Sequence, residues 1–355
     1  MAKKVKVGIW GLGRAGAGMH THEIGVHSDK LEIVAACDID ADRAKAYGEK
    51  HNVKVYTDPE EFLKDGNMEL VAVATRSLDH LRHTRQAMEA GYAAIIEKPL
   101  SPSRKDAEIL VELNKKYPGK LFCRQNRRFE PCFQHVREII NSGLLGKIHT
   151  IKLQRNNFSR RDDWQTLRAN GGGQLCNWGP HLIDHALQFL NYEVESVWSK
   201  LSLIAALGDA EDCVKICIKG KNGCLVDIEI FDGNALSTNV YEVYGTRGAL
   251  SSTDEKDIKL RYVEPSYKLI KTPVNNGQPD GFIFADNAQI PWRRETIMTD
   301  PELKVNMNSF YGCVADSLLE GKAFPIKLEE ALAVLEICDI VRSQTPGFEV
   351  PSANQ

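Results

Sequence analysis

The chain has 355 residues, 43% of them hydrophobic and 26% charged, a balance that supports a globular core without disulfide or metal staples. Its formal net charge of -3 removes the electrostatic reason to expect nucleic acid or an anionic membrane as a partner. The length points to two domains, and function has to be read from local motifs.

From residue 4 to about 125, short β-branched runs alternate with helical stretches. The runs are KVKVGIW, LEIVAAC, VKVY, LVAVAT, YAAII and KLFC. This rhythm predicts βαβ units, hence a parallel sheet with helices on both faces. The uninterrupted apolar character of EIVAAC and LVAVA fits strands covered on both sides. The first strand runs into Gly11-Leu12-Gly13-Arg14-Ala15-Gly16, which opens a helical segment. In that setting G-x-G-x-x-G is a dinucleotide-binding fingerprint. The first glycine makes the turn, the second lets backbone approach a pyrophosphate, and the third packs helix on strand. Asp38 ends the second strand about twenty residues later, where a carboxylate accepts from the adenosine ribose hydroxyls. Its charge opposes a 2′-phosphate, so NAD is expected over NADP, with Arg43 close enough to weaken the preference. Beyond the fifth strand, Glu97-Lys98-Pro99 falls at the carboxyl edge, where such sheets bind ligands. A lysine there suits a substrate hydroxyl and a developing alkoxide. Taken alone, E-K-P reads as a surface lysine before a helix-starting proline.

After about residue 148 the strands lengthen and turns join them. DCVKICIKG and CLVDIEIF flank Lys221-Asn222-Gly223, and Asn-Gly favours a tight hairpin. Val214, Ile216 and Ile218 share one face while Lys215 and Lys219 share the other, which predicts an antiparallel sheet with one wet face. The polar stretch Asn275 to Gly281 is the best loop candidate. Two helices are expected near 303–320 and 328–343, with Phe310, Val314 and Leu318 on one stripe.

Between these halves lies the block GGGQLCNWGPHLIDH, from Gly171 to His185. His181 is a proton acceptor by residue type. His181 and His185, with Asp184 between them, also have the spacing of a metal pair, or of ordinary helix-cap histidines. No third ligand follows at a telling distance, and no metal is expected. The Gly171–Gly173 run reads as a flexible loop or as close approach of backbone to ligand, and its place before His181 favours the latter. Upstream, Arg160 to Gln165 is dense in planar and hydrogen-bonding groups. Trp164, with Arg161, Asp163 and Gln165, suits the apolar face and hydroxyl rim of a carbohydrate. The arginines suit a carboxylate or phosphate on it, and a solvated charge cluster is the equal alternative.

The nine cysteines are scattered and include no C-x-x-C pair, which fits buried thiols in a reducing compartment. No apolar stretch of signal-peptide length follows Met1, and no run of about eighteen apolar residues occurs, so a cytoplasmic protein is expected. The sequon Asn157-Phe158-Ser159 has meaning only in a secreted chain.

Taken together, GLGRAG, AGYAAIIEKPLSPS, NRRFEP, GLLGKI, GGG…WGPHLIDH, YGTRGAL and the closing EGKAFPI…EEALAVLEI resemble the Gfo/Idh/MocA oxidoreductase family over nearly the whole chain. That family includes inositol dehydrogenases and glucose-fructose oxidoreductase. The resemblance implies an α/β fold in two parts. Residues 1–126 form a Rossmann domain with a doubly wound parallel sheet. Residues 127–355 form an α/β domain with a large, mostly antiparallel open sheet, whose free face makes a homodimer or homotetramer. It implies an NAD-dependent dehydrogenase acting on a secondary hydroxyl of a sugar, sugar derivative or cyclitol. Lys98 would polarise that hydroxyl and His181 shuttle its proton beside the nicotinamide. Many members carry an aspartate four residues before the histidine as its partner. Asn177 stands there in this chain, which leaves Asn177 and Asp184 to orient substrate and imidazole. Thr75, His80, Glu97, Lys98 and Asn126 complete the expected cofactor contacts. Arg128, Arg161, Asp163, Trp164, Gln165, Asn177 and His181 make up the expected substrate contacts. Two other classes remain open: a redox-assisted lyase or glycosidase with tightly bound NAD, and a non-catalytic regulator that senses NAD.

Overall fold

In the computed structural model, which describes residues 3–269, 290–300 and 305–353, the apolar runs of the first third become six parallel strands. They are β1 (Val5–Trp10), β2 (Leu31–Cys37), β3 (Lys54–Tyr56), β4 (Leu70–Val73), β5 (Ala93–Ile96) and β6 (Leu121–Cys123). Their order is β3-β2-β1-β4-β5-β6, so the winding reverses between β1 and β4. A crevice outside the carboxyl ends at that reversal is where open α/β sheets bind ligands. Every residue of β4 and β5 is buried, as strands covered by helices on both faces must be.

The turn after β1 explains its glycines. Gly11 has φ +98°, and a Cβ there would lie 2.6 Å from the Ala74 carbonyl oxygen. A Cβ on Gly16 would lie 1.8 Å from the Gly11 carbonyl oxygen, whereas one on Gly13 would meet nothing within 4 Å. The turn therefore packs against its own backbone on one side and is open on the other. The helix that follows starts as a π-helical segment, Arg14–His20, before its α-helical part, Thr21–Val26.

The second sheet has eight strands: β7 (Ile148–Asn156), β8 (Val194–Ser202), β9 (Cys213–Gly220), β10 (Leu225–Phe231), β11 (Tyr241–Gly245), β12 (Gly248–Ser252), β13 (Asp257–Val263) and β14 (Trp292–Met298). The order is β14-β13-β12-β11-β7-β10-β9-β8, with β7 and β10 parallel and the other neighbours antiparallel. The β9–β10 hairpin closes at Asn222-Gly223, where Gly223 has φ +83° and donates to the Gly220 carbonyl at 2.8 Å. Val214, Ile216 and Ile218 are fully buried under the helices Pro131–Asn141 and Gly179–Phe189. The opposite face is open: Lys215 bridges Asp227 and Glu229 at 2.7 and 3.0 Å, and Trp198 and Tyr244 stand exposed. The expected loop at Asn275–Gly281 lies outside the described residues.

The last two helices return to the first sheet. Helix Ser309–Glu320 puts Phe310, Tyr311, Val314 and Ala315 into the first core. Helix Leu328–Gln344 divides its faces, with Leu328, Leu332 and Leu335 in the first core and Val334, Ile337 and Val341 in the second. The chain after residue 127 therefore does not serve the second sheet alone. All nine cysteines are free, and among the described residues no helix is long and apolar enough to cross a membrane.

Candidate functional site

The expected residues collect at the carboxyl edge of the parallel sheet because each follows a strand: the fingerprint after β1, Asp38 after β2, Thr75 after β4, Lys98 after β5 and Asn126 after β6. Asp38 is buried and fixed by two backbone donors, Leu12 N at 2.7 Å and Asp40 N at 3.0 Å. The half-exposed Arg43 lies against it, its Nη1 at 3.2 and 3.3 Å from the two carboxylate oxygens. Asp38 is thus a carboxylate already held in place, with the arginine against both of its oxygens.

Glu97 and His80 belong to the support of this edge rather than to its open surface. Glu97 Oε1 takes Arg124 Nη1 at 2.9 Å and lies 3.0 Å from His20 Nε2, while its Oε2 takes the Lys98 N–H at 3.0 Å. Arg124 continues to Glu23 at 2.5 Å, and His20 to the Tyr311 hydroxyl at 2.5 Å. Burial opposes ionisation of Glu97, but the Arg124 charge and the His20 contact hold its carboxyl well below the usual range. His80 is wedged between the Pro99 and Thr75 carbonyl oxygens, at 2.8 and 3.1 Å, and braces the two turns against each other. The Thr75 hydroxyl meets His83 Nδ1 at 3.0 Å, and His83 stacks on Trp10 at 4.1 Å.

Lys98 reaches out of this support to the second domain. Its Nζ donates to the Asn177 backbone oxygen at 2.9 Å and to Asn177 Oδ1 at 3.3 Å. Asn177 Nδ2 donates in turn to Gln174 Oε1 at 3.3 Å, and Gln174 Nε2 to the buried Asp232 at 2.5 Å. Each amide is oriented by a donor on one side and an acceptor on the other. Burial brings the Lys98 ammonium down to about 8, with the Arg127 and Arg124 charges adding to the effect and Glu97 opposing it.

His181 is buried beside this chain, its Nδ1 without a partner and its ring edge-on to Trp178 at 6.0 Å. Burial, then the charges of Lys98 and Arg127, push its pKa well below the ordinary value, so the imidazole is neutral at neutral pH. Asn177, expected as its partner, bonds Lys98 and Gln174 instead. The physical reason is that Asn177 closes the short helix Gln174–Asn177, and the chain turns at Trp178 before helix Gly179–Phe189 begins. Asp184 does not orient the imidazole either. Its carboxylate takes both arms of Arg128, Nε at 2.8 Å and Nη2 at 2.7 Å.

Arg128, expected at the substrate, is consequently a buried clamp that also holds Glu330 and the Tyr192 hydroxyl. Its neighbour Arg127 is placed differently. Arg127 stacks on Trp178 at 4.2 Å, pairs with Glu130, and its charge acts on both Lys98 and His181. Both arginines sit in the tight turn Asn126–Phe129, where successive side chains point about a third of a turn apart. Asn126 itself is buried, with its Nδ2 unpartnered.

His185 turns into the core, stacked on Phe133 at 3.8 Å, with Nε2 at 3.0 Å from the Arg127 carbonyl and Nδ1 at 3.3 Å from the Tyr241 hydroxyl. It is a satisfied core histidine and does not join His181 as a metal pair. The Gly171–Gly173 run makes its close approach to protein rather than ligand. Added Cβ atoms on Gly172 and Gly173 would lie 2.3 Å from the Gln165 carbonyl oxygen and 2.2 Å from the Glu211 carboxylate. Arg161 is drawn to Asp163 at 2.7 Å and Gln165 at 2.6 Å, a self-contained cluster. Trp164 connects to the cofactor edge through Arg76, whose guanidinium lies 6.0 Å from its ring centre.

A dinucleotide fits what is present: an open Gly13, a fixed carboxylate at Asp38, and buried polar atoms of Asn126 and His181 that lack partners. Comparison with known proteins agrees. Residues 5–124 match the model of an oxidoreductase family with an NAD-binding Rossmann fold, and residues 133–251 match the Gfo/Idh/MocA C-terminal domain. An uncharacterised oxidoreductase of Schizosaccharomyces pombe is 30% identical over 69% of this chain and 69% of its own length. The myo-inositol 2-dehydrogenase of Thermotoga maritima is 28% identical over 71% of this chain and 76% of its own. The WlbA dehydrogenase of Bordetella pertussis, solved with NADH and UDP-GlcNAcA, shares the fold with a TM-score of 0.74 at 19% identity, covering 96% of both chains.

Proposed function

The chain belongs to the Gfo/Idh/MocA family of NAD-binding oxidoreductases, dehydrogenases of CH–OH groups, and on that premise we propose that it oxidises a secondary hydroxyl on a sugar, sugar derivative or cyclitol. The observation that carries this reading is the Lys98 amine, bonded twice to Asn177 and tuned by burial to about 8 beside a neutral His181. The Gly11–Gly16 turn and Asp38 would hold NAD, which when bound would supply the two-electron acceptor. A neutral amine has two N–H groups and one lone pair. Asn177 occupies both N–H groups, which leaves the lone pair to take the hydroxyl proton. The same nitrogen, once protonated, holds positive charge beside the oxygen it has served. His181, neutral and with a free ring nitrogen, positions that hydroxyl by a hydrogen bond. This exchanges the roles expected from sequence, with lysine as the base and histidine as the guide. Trp164 and Arg127 suit the flat face and polar edge of a ring rich in hydroxyls.

The test is a panel of cyclitols, free sugars and glycosides with NAD, followed by NADH absorbance. Accumulating NADH with a ring polyol is the expected result. Product formed while NADH stays bound and is recycled would move the assignment to a lyase or glycosidase. A second expectation concerns the cofactor: NAD should bind about tenfold or more tightly than NADP, a difference of ~1.4 kcal/mol. Asp38→Ala should narrow that gap, as measured by titrating both cofactors into apo-protein. Equal affinities in the parent would show that Arg43 outweighs the carboxylate. The open sheet face, with Trp198 and Tyr244 exposed, supports a homodimer or homotetramer as the working assembly.

A further inference from the structure

Helix Gly179–Phe189 carries His181 in its first turn and Gln188 and Phe189 in its last. At that far end a separate cavity of about 400 Å³ opens toward helix Pro131–Asn141 and the start of β7. That volume is within the range of small-molecule sites.

The chemistry of its wall is one-sided. Arg137 and Lys147 line it, and no carboxylate does. Among the described residues Arg137 bonds only neutral amide oxygens, Gln188 Oε1 and Gln134 Oε1, each at 3.3 Å, with its guanidinium over the face of Phe133. Among the described residues no carboxylate pairs with the Lys147 ammonium. The acids on the adjoining elements are engaged elsewhere, Glu138 beside His135 and Glu193 with Lys221 at 2.6 Å. Asn222, which also lines the cavity, uses its Oδ1 to accept the Cys224 N–H at 2.9 Å and keeps its Nδ2 as a donor. Ile148, Ile151 and Phe189 supply an apolar wall next to these donors.

Two cations beside one cavity, with neither paired to an acid, repel each other until an anion comes between them. A guanidinium fork and an ammonium match a tetrahedral dianion better than a single carboxylate, because each can take separate oxygens. The apolar wall asks for a body attached to that head. We infer that this cavity binds a small phosphomonoester, its phosphate taken by Arg137 and Lys147 and its body laid on Ile148, Ile151 and Phe189. The site is separate from the Lys98–His181 cluster and does not depend on the substrate assigned above.

The experiment titrates phenyl phosphate into the protein by calorimetry, with NAD saturating so that the phosphate cradle of the fingerprint is already filled. One saturable site is expected, with inorganic phosphate and benzoate each binding more weakly, the first for want of a body and the second for want of charge. Arg137→Gln and Lys147→Gln should each weaken phenyl phosphate about tenfold or more while leaving Tm and NAD affinity unchanged, because both side chains reach the surface. No saturable binding, binding that ignores both substitutions, or benzoate binding as tightly as phenyl phosphate would each overturn the inference.

Discussion

Lys98→Ala is expected to lower kcat/KM by at least about two orders of magnitude, the loss typical of one preorganised contact to developing charge or of one general base. The pH profile should change with it. In the parent, kcat/KM should rise with pH through a limb near 8, because in the proposed reaction the amine must lose its proton before it accepts one from the substrate. Alanine removes the group and the limb together. NAD affinity should stay close to the parent's, since the proposed dinucleotide contacts rest mainly on the fingerprint and on Asp38, which Leu12 N holds in place. Lys98→Arg sharpens the test, because a guanidinium keeps charge and donors yet does not deprotonate in the accessible range. If positive charge alone were the requirement, arginine would restore turnover; if proton acceptance is, arginine stays as poor as alanine. A Lys98→Ala enzyme with parental turnover would end the assignment.

The fold was legible wherever a local pattern forces a local structure. LVAVA admits no wet face and is a strand buried along its whole length, while EIVAAC is covered at its Ala35–Cys37 end and leaves Glu32 exposed at the other. The alternation of Val214, Ile216 and Ile218 with lysines fixed both the strand and its buried side. What could not be read is where an apolar stripe lands. Helix Leu328–Gln344 has apolar residues on several sides because it packs against both cores, and periodicity records burial without naming the partner. The π-helical start at Arg14 was equally hidden, since the same side chains suit an α-helix.

The site divides along similar lines. The fingerprint, Asp38 and Lys98 are recognisable because their spacing to a strand end is itself the signal, whereas His181 sits in a helix and is marked by its residue type and by the family resemblance of its block. Their electrical surroundings are not, because those come from far along the chain. Glu97 meets Arg124 27 residues on, Arg128 meets Asp184 at a separation of 56, and Lys98 meets Asn177 at 79. Sequence could offer Arg127 and Arg128 as adjacent cations. Only the turn they share decides that Arg128 is locked under the helix by Asp184 while Arg127 lies over Trp178, where its charge acts on Lys98 and His181. The same holds for His181. Its residue type suggested a base titrating near neutrality, and its burial among three cations, Lys98, Arg127 and Arg124, makes it a neutral ring.

Asn177→Asp puts that redistribution of roles to an experiment. The substituted carboxylate would stand where Asn177 Oδ1 stands, 3.3 Å from Lys98 Nζ. A negative neighbour at that range favours the ammonium, so the Lys98 pKa rises and the limb of kcat/KM should move from near 8 to higher pH by about one unit or more. At neutral pH fewer molecules then carry the free amine, and kcat/KM there should fall about tenfold for every pH unit the limb moves. The substitution also removes the N–H that Asn177 donates to Gln174 Oε1 and leaves two acceptors facing each other. That costs about 1–3 kcal/mol of stability, visible as a lower Tm. His181→Ala is the companion variant. Because the imidazole is already neutral across the working range, its removal should lower the plateau of the profile while leaving the limb where it was. The two variants therefore separate the candidates. A limb that moves in Asn177→Asp and survives in His181→Ala assigns the proton to Lys98. A limb that stays put in the first and vanishes in the second returns it to the imidazole, and Asn177 then only fixes the lysine in place.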